Sequence, residues 1–134
     1  MKGGIALASQ GTVIARVYTS DAYLPLQGAP VTFTQTSENG SAQLLAIRLT
    51  DSSGLTAPLL IDTPDVSESL TPGMPLRPYA VVDISVSYPD YSSFRAEGVQ
   101  VFPGVVTIQG LPLNPVTAGE RDSSVTVPGS SQNL

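Results

Sequence analysis

Cysteine, histidine and tryptophan are all missing from the 134-residue sequence. Without cysteine the chain forms no disulfide and offers no thiolate ligand or nucleophile. Without histidine it lacks the commonest general base, which is also the commonest metal ligand. A single lysine and four glutamates are present, and only 13% of the residues are charged. Because exposed helices usually carry such residues, long surface helices are not expected.

The six basic residues are scattered along the chain, and the net charge is −5. A nucleic-acid partner is therefore not expected, because binding to phosphates needs a clustered basic footprint. Membrane insertion is not expected either, since no apolar run approaches the roughly 18 residues that a spanning helix needs. The opening segment has Ile5, Ala6, Leu7 and Ala8 as its apolar part. This part is too short, and too interrupted by glycine, for a good signal peptide, so the segment is interpreted as a flexible arm.

The residues that are abundant, namely valine, threonine, serine, proline and glycine, are typical of β-structure. Alternation of apolar and polar residues places Val13, Ala15, Val17 and Thr19 on one face of a strand, and it predicts that Val31 and Phe33 point inward. The same reasoning places Leu45, Ile47 and Leu49 on one face, and likewise Val82, Ile84, Val86 and Tyr88. The seven predicted strands cover residues 12–19, 31–36, 42–50, 55–61, 79–88, 92–102 and 105–113.

Turn signals separate these segments. Asn39-Gly40 is a strong hairpin signal, and Asp51 with Gly54 brackets a tight turn. Pro58 indicates an edge strand, because proline cannot donate a ladder hydrogen bond. The long stretch 62–78 contains four prolines and is interpreted as a loop between two sheets.

Spacing of this kind predicts an all-β fold, as a single seven- to eight-stranded antiparallel Greek-key β-sandwich. The expected division is a flexible arm at 1–10, a sandwich domain at 11–114 and a disordered tail at 115–134. The tail is rich in serine, threonine, glycine and proline, so it buries too little apolar surface to offset the entropy of ordering.

Several motifs resemble the prealbumin-like (transthyretin-like) sandwich in its carboxypeptidase-regulatory and Cna B-type versions. They are Pro-Leu-Gln-Gly-Ala-Pro-Val-Thr at 25–32, Thr-Asp-Ser-Ser-Gly at 50–54, and the strand around Ile84 and Val86 that leads to Pro-Asp-Tyr at 89–91. The motif's usual glycine is replaced by Asp90. The resemblance spans residues 11–113 and implies a prealbumin-like fold in an accessory or adhesive domain.

A narrower resemblance is to the amino-terminal region of clostridial spore-cortex-lytic enzymes. Its matching features are the acidic insert 62–78, Arg-Pro-Tyr at 77–79, and Gly-Val-Gln-Val-Phe-Pro-Gly at 98–104. This likeness implies a location in the cell envelope, the spore or the extracellular space, although residues alone leave the location unknown.

Catalysis is not expected. The resemblance to hydroxyisourate hydrolases fails because those enzymes use histidines and a carboxy-terminal Tyr-Arg-Gly-Ser, whereas this chain ends Ser-Gln-Asn-Leu. The Lys–Asn isopeptide bond of some Cna B-type domains is not expected either, since the only lysine is Lys2 and position 16 is arginine. Ser52 and Ser53 have no base to activate them. No catalytic residue, cofactor or metal site is assigned.

Two segments are candidates for interaction. Residues Ile5, Ala6, Leu7 and Ala8 could add as a strand to a neighbouring molecule, with plain disorder as the rival interpretation. Asp62, Asp65 and Glu68 form an interaction loop, for which a solvated surface is favoured over a calcium site because the spacing matches no calcium loop.

Charged and aromatic side chains supply further candidates. Asp83 and Arg95 are expected to pair across strands if both face outward. The five tyrosines offer contact area, although most are expected in or near the core. They are Tyr18, Tyr23, Tyr79, Tyr88 and Tyr91.

The resulting expectation is a non-catalytic structural or protein-interaction module of a bacterial cell envelope or spore. Its partner would be protein, either itself or an envelope or spore component, with homo-oligomerisation by strand addition left open. The alternative is a carbohydrate- or peptidoglycan-binding accessory domain, which the lack of tryptophan disfavours.

Overall fold

The computed structural model describes residues 9–37, 39–64, 79–116 and 125–129, which form two packed β-sheets. Within these ranges there are eight strands and no helix. The strands are β1 (Ser9–Thr19), β2 (Pro30–Thr36), β3 (Ala42–Leu49), β4 (Leu59–Thr63), β5 (Ala80–Val86), β6 (Phe94–Val101), β7 (Val106–Leu113) and β8 (Val125–Pro128). The all-β sandwich predicted from the sequence is confirmed.

The smaller sheet has three strands in the order β4-β1-β7. Its central strand β1 runs antiparallel to β4 and parallel to β7. Along β1, Val13, Ala15 and Val17 share one face, as the alternation in the sequence predicts, and all three are fully buried. A buried threonine also contacts this strand: the Oγ1 atom of Thr56 accepts a hydrogen bond of 3.0 Å from the backbone nitrogen of Ala15.

The larger sheet has five strands in the order β3-β2-β5-β6-β8. Its inward side chains meet those of β1 and β7 in one core, which includes Phe33, Ile84 and Leu111, all fully buried. The predicted inward positions of Val31 and Phe33 are confirmed, and the predicted common face of Val82, Ile84 and Val86 is a buried one.

Both predicted turns are present. The β2–β3 hairpin turns at Gly40, whose φ is +88°, and the backbone nitrogen of Gly40 donates to the Ser37 carbonyl. At 51–54 the Oδ1 atom of Asp51 accepts hydrogen bonds from the nitrogens of Ser53 (2.8 Å) and Leu55 (3.0 Å). Gly54 has a φ of +78°, which explains why glycine is needed there.

The sheets are not purely antiparallel. The β1–β7 and β6–β8 pairs are parallel, while the other described ladders are antiparallel. The sequence predicted an antiparallel Greek-key arrangement throughout. Instead the chain changes sheets at Pro103-Gly104, so β7 lies beside β1 and runs in the same direction.

The prediction of one shared face for Leu45, Ile47 and Leu49 is wrong in part. The pairing of β2 with β3 shifts register between Phe33 and Thr34, so Leu45 is an extra residue on β3. Leu45 packs against the core, whereas Ile47 and Leu49 are 54% and 66% exposed. A bulge changes the alternation in this way, because the extra residue shifts which side chains point inward.

Both predicted terminal boundaries need correction. Ser9 and Gln10, assigned to the flexible arm, belong to β1 and pair with Thr63 and Asp62. Within the tail expected to be disordered, Val125–Pro128 forms strand β8 beside β6. Short apolar alternation in Val-Thr-Val is enough because β6 already provides a template. Residues 1–8 lie outside the described ranges.

Candidate interaction surfaces

The outer face of the three-stranded sheet, away from the core, is unusually apolar. Leu60 of β4 is 61% exposed, and Val106 and Ile108 of β7 are each 55% exposed. The β1 residue Ile14, which is half-buried, lies directly opposite Ile108 in the ladder. A sheet face turned to water normally carries polar side chains, so this patch is not explained by the fold of the domain itself.

An aromatic cluster extends the same face. Arg16 places its guanidinium carbon 5.4 Å from the ring centroid of Tyr18, within the range of a cation–π contact. The ring of Tyr18 stacks on that of Tyr23 with 5.8 Å between centroids, and Tyr23 is 70% exposed. Gly110 makes room for Tyr18, because a Cβ atom at that position would lie 3.1 Å from the tyrosine hydroxyl. The cluster therefore combines a cation with two stacked rings.

The other tyrosines lie elsewhere. Tyr88 and Tyr91 pack against the core and against each other, with 5.8 Å between their ring centroids. The Tyr88 hydroxyl donates a hydrogen bond of 2.9 Å to the carbonyl of Gln27. Tyr79 lies against Phe102 with 5.2 Å between centroids. Tyr18 and Tyr23 are thus the pair that joins the exposed apolar face.

Of the predicted interaction loop, only Asp62 falls within the described residues. It is exposed on the same outer face, and its Oδ1 atom accepts a hydrogen bond of 3.1 Å from the side-chain nitrogen of Gln10. Asp65 and Glu68 lie outside the described ranges, as do Ile5, Ala6, Leu7 and Ala8. Among the described residues, no group of three acidic, histidine or cysteine side chains comes together as metal ligands.

A polar cleft of about 620 Å³ opens near the ends of β4 and β5. Its lining combines side-chain amides and carboxylates with one tyrosine ring. These residues are Gln35, Gln43, Asp62, Asp83 and Tyr79. An arrangement of this kind can accept and donate hydrogen bonds to a hydroxyl-rich ligand.

The outer face of the five-stranded sheet carries a second, shallower apolar strip. Leu44, Ile47 and Leu49 of β3 are exposed at its edge. Beside Ile47 lies a groove of about 390 Å³, which crosses the sheet to Thr126 of β8 and has Arg95 in its lining.

Farther along, the predicted pair of Asp83 with Arg95 is confirmed at 3.4 Å, and Arg95 also contacts Glu97 at 2.9 Å. The second oxygen of Asp83 accepts a hydrogen bond of 2.9 Å from the nitrogen of Gly98.

Unpaired strand edges complete the set of surfaces. Within the described residues, β4 and β7 are the edges of the small sheet, and β3 and β8 those of the large one. The edge position expected near Pro58 matches β4, which begins one residue later, at Leu59. The apolar outer face was missed from the sequence, although Val105, Val106 and Ile108 already place apolar residues at both parities of one strand.

Comparison with solved structures identifies a similar fold. The minor pilin GBS52 of the Gram-positive pathogen Streptococcus agalactiae superimposes with a TM-score of 0.50 at 13% sequence identity. The match covers 86% of this chain and 48% of the pilin, so the chain spans about half of that protein's length. This likeness supports the all-β sandwich fold predicted above.

Other comparisons add little. A 9R-lipoxygenase from Cyanothece matches with a TM-score of 0.41 and 11% identity, over 96% of this chain and 19% of the enzyme, and at that score it has no bearing on the fold. No protein-family model matches the sequence, and no curated protein matches it either. Across the described ranges, no helix has the length and apolar character to cross a bilayer.

Proposed function

We propose that this chain is a non-catalytic structural or protein-interaction module of a bacterial cell envelope or spore. The observation that carries the proposal is the outer face of the three-stranded sheet, where Leu60, Val106 and Ile108 are each more than half exposed on regular strands. Rigid strands hold such side chains in fixed positions, which favours a protein partner with a matching surface.

Two further features support this proposal. Tyr18 and Tyr23 extend the face with aromatic area, and Arg16 adds a cation beside them. Tyrosine and arginine are the residue types that most often dominate binding energy at protein interfaces. The solved pilin, described as the minor pilin of a Gram-positive pathogen, gives a precedent for this sandwich in a structural protein.

Light scattering on the full chain tests the proposal in its self-assembling form. We expect a mass above 13.9 kDa that rises with concentration. Ile108→Lys should return the mass to that of the monomer, because it places an unpaired charge on the apolar face. Ile47→Lys is the matched control, since Ile47 has 54% exposure against 55% for Ile108 but lies on the other sheet.

A constant monomer mass in all three proteins would argue against self-assembly. Pull-down from envelope or spore-coat extracts, with the wild-type chain and the Ile108→Lys variant as paired baits, then tests a different protein partner. Equal recovery of partners by both baits would contradict the assignment of this face.

Strand addition by the amino-terminal segment is part of the same proposal. Since β1 begins at Ser9, the deletion that tests the segment removes residues 1–8, including Ile5, Ala6, Leu7 and Ala8, and leaves β1 whole. The expected result is weaker self-association with an unchanged melting temperature. Equal masses with and without these residues would exclude the segment as an assembly device.

Carbohydrate or peptidoglycan binding remains the second candidate, and the polar cleft is the observation that favours it. The amides of Gln35 and Gln43, the carboxylate of Asp62 and the ring of Tyr79 line one cavity. Sedimentation with purified peptidoglycan tests this function. Retention that Gln43→Ala abolishes and Ile108→Lys leaves unchanged would support the cleft as a glycan site.

A further inference from the structure

The strand β8 is attached to the domain through a single neighbour. Among the residues that the structure describes, it pairs with β6 alone, over the four positions from Phe94↔Val125 to Glu97↔Pro128. A four-residue edge strand with one partner has few hydrogen bonds and little buried surface, so its separation from the sheet requires much less free energy than global unfolding.

The edge of β6 nevertheless restricts which residues a strand paired with it can carry. Val127 is half-buried and packs against the core, while Thr126 on the opposite face is exposed. Gly129 donates its backbone N–H to the carbonyl of Glu97. A Cβ atom on Gly129 would lie 2.8 Å from the backbone nitrogen of Val99, so only glycine fits at this point.

The shape of this edge is set by the bulge in β6. The register between β5 and β6 shifts after Val82, and Gly98 has a φ of +75°. Asp83 holds the bulge by accepting the Gly98 N–H at 2.9 Å. Gly129 therefore contacts β6 next to this bulge. Because the bulge has a fixed position, it also fixes the register of the segment that pairs with β6.

The connection to β8 starts and ends at the same end of β6. Val116 donates its backbone N–H to the Asp90 carbonyl at 3.0 Å, and Val125 pairs with Phe94. Residues 117–124, eight in number, join these two points. Eight residues span up to roughly 27 Å when extended, so the same connection can also reach a neighbouring molecule.

We infer that the edge of β6 is a strand-acceptor site and that the Val-Thr-Val-Pro-Gly segment at 125–129 exchanges into it between copies of this chain. The inference rests on the proposed role in protein interaction and names a second surface for it. Exchange of an identical element is a low-cost route to dimers, since the swapped contacts equal those already made within one molecule. The backbone of Gly129 faces β6, so that of its neighbour Pro128 faces the other way. The outer edge of β8 therefore carries a proline, which has no N–H to donate to a further strand.

Disulfide trapping tests the exchange, because the full chain has no cysteine of its own. Arg95 and Thr126 are directly paired in the β6–β8 ladder, which gives cysteines at these positions a separation suited to a disulfide. The double variant R95C/T126C should form an intramolecular bond. Unlabelled R95C mixed with ¹⁵N-labelled T126C should form a mixed disulfide dimer, identified by mass.

The matched control replaces R95C by L44C, since Leu44 is 58% exposed but lies on β3 at the opposite edge of the same sheet. We expect the R95C mixture to give at least fivefold more mixed dimer than the L44C mixture. Adding Gly129→Val to the T126C chain should reduce the yield to the control level. Val127→Asp is the second variant, and circular dichroism verifies that each remains folded.

Three results would overturn the inference. The first is a mixed dimer at control level at every concentration, and the second is a yield that neither Gly129→Val nor Val127→Asp lowers. The third is a double variant that forms neither an intramolecular nor an intermolecular disulfide, because β8 would then not dock on β6 at all. Repeating the trapping with Ile108→Lys separates the two surfaces. An unchanged yield in that variant would support exchange at β6 whether or not the outer face of the three-stranded sheet binds protein.

Discussion

Gly11 of β1 is packed directly against Phe102 at the end of β6. A Cβ atom on Gly11 would overlap the carbonyl oxygen of Phe102 and lie 2.7 Å from Cγ1 of Val101. Gly11 also pairs with Ile61 of β4, so it is a part of the sheet. The two sheets therefore approach each other closely at Gly11, beside the boundary at which the sequence predicted the flexible arm to end.

Gly11→Ala should therefore destabilise the fold by about 2–3 kcal/mol, because the backbone of Phe102 cannot move away without disturbing β6. Urea unfolding followed by circular dichroism measures the change. Ser9→Ala on the same strand is the control and should stay within about 0.5 kcal/mol of the wild type. Identical unfolding midpoints for the wild type and Gly11→Ala would contradict the close approach of Gly11 to Phe102.

Asp51→Ala should lower stability by about 1–2 kcal/mol, because the nitrogens of Ser53 and Leu55 both lose their acceptor. Asp51→Asn keeps an oxygen at the same place, so its loss should be less than half as large. Thermal melts of the two variants provide the comparison. Equal losses would show that the negative charge, rather than the acceptor geometry, holds the turn.

Two buried threonines should respond in opposite ways to replacement by valine. The hydroxyl of Thr50 accepts from the nitrogen of Ala29 at 2.9 Å and donates to the Leu26 carbonyl at 2.6 Å. Thr50→Val leaves the Ala29 nitrogen and the Leu26 carbonyl without this partner, so it should lower the free energy of unfolding by about 1–3 kcal/mol. Among the described residues the Thr63 hydroxyl is buried and has no partner, so Thr63→Val should be neutral or stabilising. Denaturant titration of both variants gives the two free energies, and a loss of stability in Thr63→Val would contradict the assignment.

Asp83→Ala should destabilise the β6 bulge by about 1 kcal/mol through loss of the acceptor for Gly98. Asp83→Asn retains the acceptor and loses the charge opposite Arg95, which is 40% exposed, so it should cost only a few tenths of a kcal/mol. Amide hydrogen exchange at Gly98 reads the bulge directly. Faster exchange in Asp83→Asn than in Asp83→Ala would reverse the assignment.

The sequence predicted the strands well where one face is buried. Val13, Ala15 and Val17 are all buried in the core and alternate with half-buried or exposed residues. The period-two pattern was therefore sufficient to predict this strand. Asp51 and Asn39-Gly40 were equally informative because turn geometry depends on a few local atoms.

Non-local features were missed for a physical reason. The bulge after Phe33 and the parallel partner of β1 depend on contacts between distant segments, which the alternation of a single strand does not encode. The exposed face of Leu60, Val106 and Ile108 emerges only when β4, β1 and β7 are aligned. Strand β8 was missed because its four residues gain their order from the edge of β6.

The pairing of β1 with β7 also determines when the chain can fold as it leaves the ribosome. Thr12 pairs with Val106, 94 positions later in the sequence, and Thr19 pairs with Leu113. Until residue 113 has emerged, the first strand lacks one of its two neighbours and its apolar side chains stay accessible to other nascent chains. The smaller sheet is therefore completed only after β7 has been synthesised, and translation products that end before β7 would be prone to aggregate.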